Sequence, residues 1–384
     1  MDLTPATPAS PATSTTTATS TTAATSKRFI ELDVIRAVAL IGVCVMNYHG
    51  YLIIDGAKFP PTNFIERVFD PFNGPLSTRF AAVFVTVAGM GITLLTRRSR
   101  TSRDPLAISA DRWTLARRGV LLYAFGFVLE WVWNGTILFF YGAFFVAGAL
   151  LFMLRSRWLM AIGTAAALAG AGIQWWALDQ RNNGHDTSWL LNANATSNRS
   201  PRDLLLDTLV RGTHPLLPWL VFLCMGMVLG RMMPFTVQRR TELAAVGASC
   251  LTIGYLAHNS VAWHPLLAST SPLDRGVFYT LATVGSSLLA VSLVGWLAEA
   301  TANTALTKAF AATGRTTLTL YVGHVLVYNL LVHWLDWVHP GALGTALLFA
   351  TIYWLCAVAT ATALQRRFGI GPLEWIYRKF SSTE

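Results

Sequence analysis

The chain has 384 residues, of which 53% are hydrophobic and only 12% are charged, and its formal net charge is +10. Because a soluble domain has about 25% charged residues, this composition excludes a soluble globular enzyme, a nucleic-acid-binding protein and a disordered protein. It indicates a polytopic membrane protein. The four cysteines all lie in apolar stretches, and their spacing matches neither a disulfide framework nor a zinc motif.

Two kinds of segment follow one another along the chain. Residues 1–26 are dominated by Ser, Thr, Ala and Pro, a composition that predicts a disordered tail. Apolar windows then recur, each close to the ~20 residues that a helix needs to cross the bilayer core: 34–54, 80–96, 119–134, 137–154, 158–178, 215–230, 243–262, 276–297, 316–334 and 342–363. Their continuous apolarity favours helices over the alternating strands of a barrel. The sequence therefore predicts an all-α transmembrane bundle of about ten spans over residues 27–380, followed by a short tail at 381–384.

The basic residues orient this bundle. If the helices alternate and the N-terminus is cytoplasmic, 21 of the 29 Lys and Arg residues lie in inner segments. This bias is the positive-inside pattern, and it predicts that both termini are cytoplasmic. The longer loops, 55–79, 179–214 and 263–275, then lie outside and carry several His and Asp residues. We expect a multi-pass protein of the plasma membrane, in a bacterial cell.

The first span carries polar residues at both ends. An unpaired polar group is costly in hydrocarbon, so such residues are candidate site residues. Asp33 and Arg36 have the i, i+3 spacing of an ion pair, while Asn47 and His49 lie at the other end. Thirteen residues separate Arg36 from His49, a rise of ~20 Å. His49 fits either an interfacial side chain or a functional base.

Two further ionisable residues lie inside predicted spans. Glu130 lies among aromatic residues near the outer end of its span, and it fits either an interfacial anchor or an intramembrane acid. His324 lies nine residues after Arg315, near mid-membrane, and it fits either a helix–helix hydrogen bond or the lining of a functional cavity. No His, Cys or acidic spacing suggests a metal, so none is expected.

Several motifs, in this order, resemble the transmembrane acyltransferase superfamily. The stretch LDVIRAVALIGVCVMN at 32–47 resembles the first helix of that group. FNG at 72–74 with FVTVAGMG at 84–91 is similar to the heparan-α-glucosaminide N-acetyltransferases, and YVGH, ending at His324, also looks like their version of that helix. GRTTLTLY at 314–321 and GPLEW at 371–375 resemble the YeiB-like membrane proteins.

The resemblance implies a reaction and a site. An acyl group, expected to be acetyl, would pass from cytoplasmic acyl-CoA to a glycan or glycolipid acceptor at the outer face. The position that corresponds to the catalytic histidine of the heparan enzymes holds Phe69 here, so we take His49 as the candidate general base. Asp70 or Glu130 would orient or charge-balance it. Asn47 and His324 would hydrogen-bond the thioester carbonyl as its oxyanion develops.

The donor is expected at the inner mouth of the bundle, with Arg36 and Arg315 as anchors. Arginine binds phosphate oxygens through a planar, bidentate fork, and both residues lie at inner helix ends within the superfamily motifs.

Two other functions remain open. A permease for a small solute or lipid precursor has the same composition, as does a non-catalytic envelope scaffold. Binding of acyl-CoA would favour the acyltransferase over both. The acceptor, the acyl chain length and the oligomeric state stay open, and an oligomer is compatible with the sequence.

Overall fold

The computed structural model describes residues 29–56, 60–133, 135–191, 200–258 and 268–382. Within these ranges the chain forms helices and no β-strand, which confirms the all-α prediction. The tail predicted at 1–26 and residues 383–384 of the predicted short tail lie outside the described residues.

The helices follow one another with short connections. In chain order they are α1 (Ile30–Ile54), α2 (Phe64–Val68), α3 (Arg79–Leu95), α4 (Arg97–Ser102), α5 (Pro105–Leu129), α6 (Ile137–Leu151), α7 (Ser156–Asn182), α8 (Ser188–Leu191), α9 (Pro201–Leu206), a π-helix (Asp207–Arg211), α10 (Leu216–Met232), α11 (Val237–His258), α12 (Val277–Ala300), α13 (Ala305–Arg315), α14 (Thr317–Tyr328), a second π-helix (Asn329–Trp334), α15 (Leu343–Phe368) and α16 (Pro372–Ser381).

Each predicted apolar window overlaps one of these helices. Among the described helices, α1, α7, α12 and α15 are long and apolar enough to cross a membrane. A fifth span is formed if the pair Pro201–Arg211 and Leu216–Met232, bent by 57°, is counted as one. The apolar helices α3 and α6 are shorter. These helices make the chain a multi-pass membrane protein, while the ten-span count and the orientation of the termini stay predictions.

The basic stretch 97–118, expected as a connection between spans, is largely helical. Helix α5 begins inside it, because the Asp104 side chain accepts a hydrogen bond from the Leu106 amide (3.0 Å) and Pro105 occupies the first helical turn. Both residue types favour a helix start. A hydropathy window does not detect this start, because Asp111, Arg112, Arg117 and Arg118 interrupt the apolar residues in the first half of α5.

Helix α1 lies at the centre of the bundle and packs against α3, α12, α13, α14 and α15. Leu40, Cys44, Tyr48 and Leu52, spaced by four residues, are all fully buried, as expected for one face of a core helix. The Tyr48 ring stacks on Phe349 of α15 with 4.3 Å between centroids. This central position lets α1 contribute side chains to the site from both of its ends.

Helices α3 and α10 approach each other closely. A β-carbon at Gly226 of α10 would collide with the Thr86 backbone of α3, so only glycine permits this distance. Close approach at small residues is a common means of helix association in membranes. This packing fixes the position of α3, which forms part of the wall of a large cavity.

Candidate active site

A cavity of about 1470 Å³ opens among helices α1, α3, α5, α6, α13, α14 and α16. It is larger than the ~300–1,000 Å³ of most small-molecule sites. Part of its lining is apolar or aromatic, with Leu122, Leu138, Tyr141 and Tyr321 among the residues. Its charged lining is mainly basic: Arg36, Arg97, Arg98, Arg118, Arg315 and Arg378, against Asp33, Glu299 and Glu374. The cavity therefore combines an arginine-rich region with an apolar one, a combination that suits an anionic ligand with a long uncharged arm.

Arg36 and Arg315, predicted as anchors for the donor, line this cavity together because both are bound to Asp33. Arg36 Nη1 lies 3.1 Å from Asp33 Oδ1, and Arg315 Nε lies 3.3 Å from Asp33 Oδ2. Asp33 is 2% exposed, whereas the two arginine side chains are 27% and 34% exposed. The buried carboxylate thus holds two accessible guanidinium groups at one mouth.

Gly314 makes this arrangement sterically feasible. A β-carbon at Gly314 would collide with the Asp33 backbone, so the end of α13 can touch α1 only with glycine there. The next residue, Arg315, then reaches the Asp33 carboxylate. The order of the Gly-Arg pair in the motif at 314–321 therefore has a structural reason: the glycine allows α13 to touch α1, and the arginine after it pairs with Asp33.

Asn47, which is half-buried, and His324, which is fully buried, form a hydrogen-bonded pair between α1 and α14. His324 Nδ1 donates to the Tyr321 carbonyl, and Asn47 Nδ2 lies 3.2 Å from His324 Nε2. A carbonyl oxygen can only accept, so Nδ1 carries the proton in this bond and Nε2 accepts from the Asn47 amide. The Tyr48 hydroxyl also donates to the His324 carbonyl at 3.0 Å. Two residues predicted separately as site residues are thus direct partners.

Tyr321 separates this pair from the cavity. Its side chain lines the cavity and its ring lies 4.8 Å from the His324 ring, centroid to centroid. The Ile137 amide donates to the Tyr321 hydroxyl at 3.1 Å, and Thr136 Oγ1 lies 3.0 Å from it. His324 is fully buried, so it lies one aromatic ring away from the cavity.

Glu374, in the GPLEW motif, caps the helix that carries His324. Its Oε1 accepts hydrogen bonds from the amides of Leu318 (2.6 Å) and Thr319 (3.0 Å), and its Oε2 accepts from the Thr319 hydroxyl (2.6 Å). A carboxylate at a helix N-terminus satisfies amides that have no partner within the helix. The sequence alone does not predict this role for Glu374, because its partners lie 55 and 56 residues away along the chain.

His49 lies apart from the Asn47–His324 pair and contacts the loop 55–79. Its Nδ1 donates to the Phe69 carbonyl at 2.8 Å, and the side chain is 7% exposed. Two residues along a helix correspond to a rotation of about 200°, so Asn47 and His49 leave α1 on different sides. Its partner Phe69 is the residue that the resemblance places at the position of the catalytic histidine of the heparan enzymes.

Asp70 and Glu130 are both engaged with their own loops. Asp70 Oδ1 accepts from the amides of Phe72 (2.8 Å) and Asn73 (3.1 Å), and Glu130 Oε1 accepts from the Gly135 amide (3.3 Å). The hydrogen bond that orients His49 is donated by its own Nδ1 to a main-chain carbonyl, and neither carboxylate takes part in it. Any help from these two carboxylates to His49 stays a prediction.

A family model described as Heparan-alpha-glucosaminide N-acetyltransferase, catalytic, matches residues 28–260. The chain belongs to this family. A second model, described as Protein of unknown function (DUF418), matches residues 229–384. Together the two matches confirm the resemblance to the heparan acetyltransferases and the YeiB-like proteins. Comparison with curated proteins gives no match.

Family membership identifies the chain as a membrane acetyltransferase-like protein.

A second polar cluster lies at the C-terminal end of α1, around Asp55. The Tyr328 hydroxyl donates to Asp55 Oδ2 at 2.6 Å, and His333 Nε2 lies 3.5 Å from the same oxygen. Trp133 packs against Tyr328 with 5.0 Å between ring centroids. This cluster lies at the opposite end of α1 from Asp33. Sequence reasoning missed it, because Asp55 and Tyr328 are 273 residues apart.

Metal ligands do not converge in this acetyltransferase-like chain, as far as the structure describes it. No group of three His, Cys, Asp or Glu side chains among the described residues could hold a metal ion.

Proposed function

We propose that the chain is an integral membrane acyltransferase that moves an acyl group, expected to be acetyl, from cytoplasmic acyl-CoA to a glycan or glycolipid at the outer face. The observation that carries this proposal is the cavity itself. It has Arg36 and Arg315 at one region and Tyr321, in contact with His324, in another. A donor held by its phosphates at the arginines could extend toward the Asn47–His324 pair.

The donor fits the cavity by charge and by length. The phosphates of CoA match the guanidinium forks of Arg36 and Arg315. The uncharged pantetheine arm suits the apolar lining around Leu138 and Tyr141. The ~20 Å along α1 from Arg36 to His49 is comparable to the reach of that extended arm.

Asn47 is the proposed donor to the thioester oxyanion. A side-chain amide has two N–H groups, and one of them is directed at His324 Nε2. The second N–H remains for the carbonyl oxygen as negative charge develops on it. His324 then acts as a positioning residue that fixes the orientation of the amide, because its one N–H is donated to the Tyr321 carbonyl and its Nε2 accepts from Asn47. The direct contact from His324 to the oxyanion that the sequence predicts would need a protonated imidazole.

The transfer step balances without any cofactor beyond acyl-CoA. The acceptor oxygen or nitrogen attacks the thioester carbonyl, the carbon–sulfur bond breaks, and the departing thiolate takes up the proton that the general base removed. His49 is the proposed base, as the sequence predicts, because its Nδ1 donates to the Phe69 carbonyl and leaves Nε2 as the basic nitrogen. It leaves α1 on a different side from Asn47, so it would reach the acceptor from outside the described cavity lining. His324 is the competing candidate, because its Nε2 is an acceptor next to Asn47.

Radiolabelled acetyl transfer in membranes tests this assignment. We expect His49→Ala to lower the transfer rate by about 10²-fold or more, the usual contribution of a general base, with the KM for acetyl-CoA little changed. Undiminished transfer by His49→Ala together with loss in His324→Ala would move the base to His324. Undiminished transfer by both variants would remove His49 and His324 from the role of general base.

A permease is the second candidate, favoured by one observation. The helix pair Pro201–Arg211 and Leu216–Met232 is bent by 57°, and broken spans are typical of many transporters. Binding of acetyl-CoA to the purified protein separates the two functions. Solute flux without any affinity for CoA would favour the permease.

A further inference from the structure

The last two helices form a corner that is both basic and apolar. Helix α15 ends at Phe368, and α16 begins at Pro372. A second cavity of about 470 Å³ lies in this corner, where Phe368, Ile370 and Trp375 provide the apolar lining and Arg378 and Lys379 the charge.

Helix α16 has one face against the protein and one face exposed. On the protein side, Glu374 caps α14 and the Tyr377 ring lies beneath the Arg118 guanidinium, 5.1 Å from its Cζ. On the other side, Trp375, Ile376 and Phe380 are 52%, 40% and 48% exposed. An amphipathic helix that exposes large apolar side chains on a membrane protein is typical of a helix lying in the headgroup region.

The charges around this corner are basic. The end of α15 carries Arg366 and Arg367, and the end of α16 carries Arg378 and Lys379. The Lys379 ammonium lies 5.1 Å from the centroid of the exposed Trp375 ring. The nearby acid, Glu374, is turned toward α14 and hydrogen-bonded there.

We propose that this corner binds the headgroup of an anionic phospholipid. Lys379 and Arg378 would contact the phosphate, and an acyl chain would lie along Phe368 and Trp375. Tryptophan at headgroup depth and clustered cations are the features that retain anionic lipid. The proposal concerns the second cavity, which shares Arg378 alone with the larger one, and it does not depend on the proposed function.

The lipid would also stabilise the wall of the larger cavity. Arg378 lines both cavities, and Glu374 on the same helix holds the start of α14. Lipid bound at the corner therefore favours the docked position of α16, and with it the capped start of the helix that carries His324.

Native mass spectrometry and thermal unfolding of the purified full chain test the proposal. The protein is titrated with phosphatidylglycerol or with phosphatidylcholine in the same detergent. We expect phosphatidylglycerol to bind preferentially and to raise the unfolding temperature. Lys379→Gln should weaken apparent phosphatidylglycerol affinity by about fivefold, the effect of one basic residue at an anionic surface.

The matched control is Lys308→Gln, an exposed lysine on the amphipathic helix α13, outside both cavities. Its phosphatidylglycerol affinity should match the wild-type value. Equal binding of the two lipids by the wild type, or equal losses in Lys379→Gln and Lys308→Gln, would overturn the proposal. Displacement of the lipid by free CoA would assign the corner to the donor site and would likewise overturn it.

Discussion

At the scale of single residues, the buried carboxylate of Asp33 organises the donor end of the cavity. Sequence spacing predicted its ion pair with Arg36, and the structure adds Arg315 as a second partner. The second pairing could not be predicted, because 282 residues separate Asp33 from Arg315 and the contact depends on the approach of α13 to α1. The same limit applies to Asn47 and His324. The sequence predicts that both contact the thioester carbonyl, but it does not predict the hydrogen bond between them.

We expect Asp33→Asn to destabilise the protein and to weaken donor binding together. The substitution removes the shared counter-ion of two guanidinium groups, and because these are 27% and 34% exposed, solvent compensates part of the loss. We expect a cost of about 1–2 kcal/mol. Thermal unfolding of the purified variant measures the first effect and acetyl-CoA titration measures the second. Retained stability with unchanged donor affinity would show that Asp33 does not position the arginines.

Arg36→Gln and Arg315→Gln should each raise the KM for acetyl-CoA by about tenfold, because each loses a charge-assisted phosphate contact. Labelled transfer in membranes at varied acetyl-CoA concentration measures this change. Arg97 and Arg98 are unsuitable controls, since both line the same cavity. Arg157, outside the cavity lining, is suitable. An equal rise in Arg157→Gln would indicate a general effect of charge.

At the scale of elements, apolar windows located the helices well and their ends poorly. The start of α5 at Pro105 depends on a polar cap that hydropathy does not register. The apolar windows also do not register the 57° bend between Pro201–Arg211 and Leu216–Met232 or the π-helix after α14. Ten windows predicted ten spans, whereas length and composition single out four or five among the described helices.

The cap that Glu374 provides to α14 makes an element-level prediction. Glu374→Ala removes acceptors for two amides and one hydroxyl, so we expect a loss of about 1–2 kcal/mol in unfolding free energy. Because α14 carries His324, kcat should fall while the KM for acetyl-CoA changes less.

Glu374→Gln is the matched comparison, because it keeps Oε1 as an acceptor and should recover much of the stability. Urea or thermal unfolding, run beside the transfer assay, measures both quantities. An Ala variant as stable and as active as the wild type would show that the start of α14 does not depend on this cap.

At the scale of the whole molecule, two polar clusters lie at opposite ends of the central helix α1. Asp33 with its arginines marks one end, and Asp55 with Tyr328 and His333 marks the other. The Asn47–His324 pair lies between them. A donor entering from one side and an acceptor from the other would meet near this pair, as transfer across a membrane requires.

Equilibrium binding of acetyl-CoA to the purified protein tests the proposed function most directly. We predict saturable binding to the wild type, and affinity up to about 100-fold weaker in the Arg36→Gln, Arg315→Gln double variant, which loses two phosphate contacts of about tenfold each. Arg157→Gln should bind as the wild type does. Absence of saturable binding in the folded wild-type protein, or identical affinity in the double variant, would contradict the assignment of the cavity to the acyl-CoA donor.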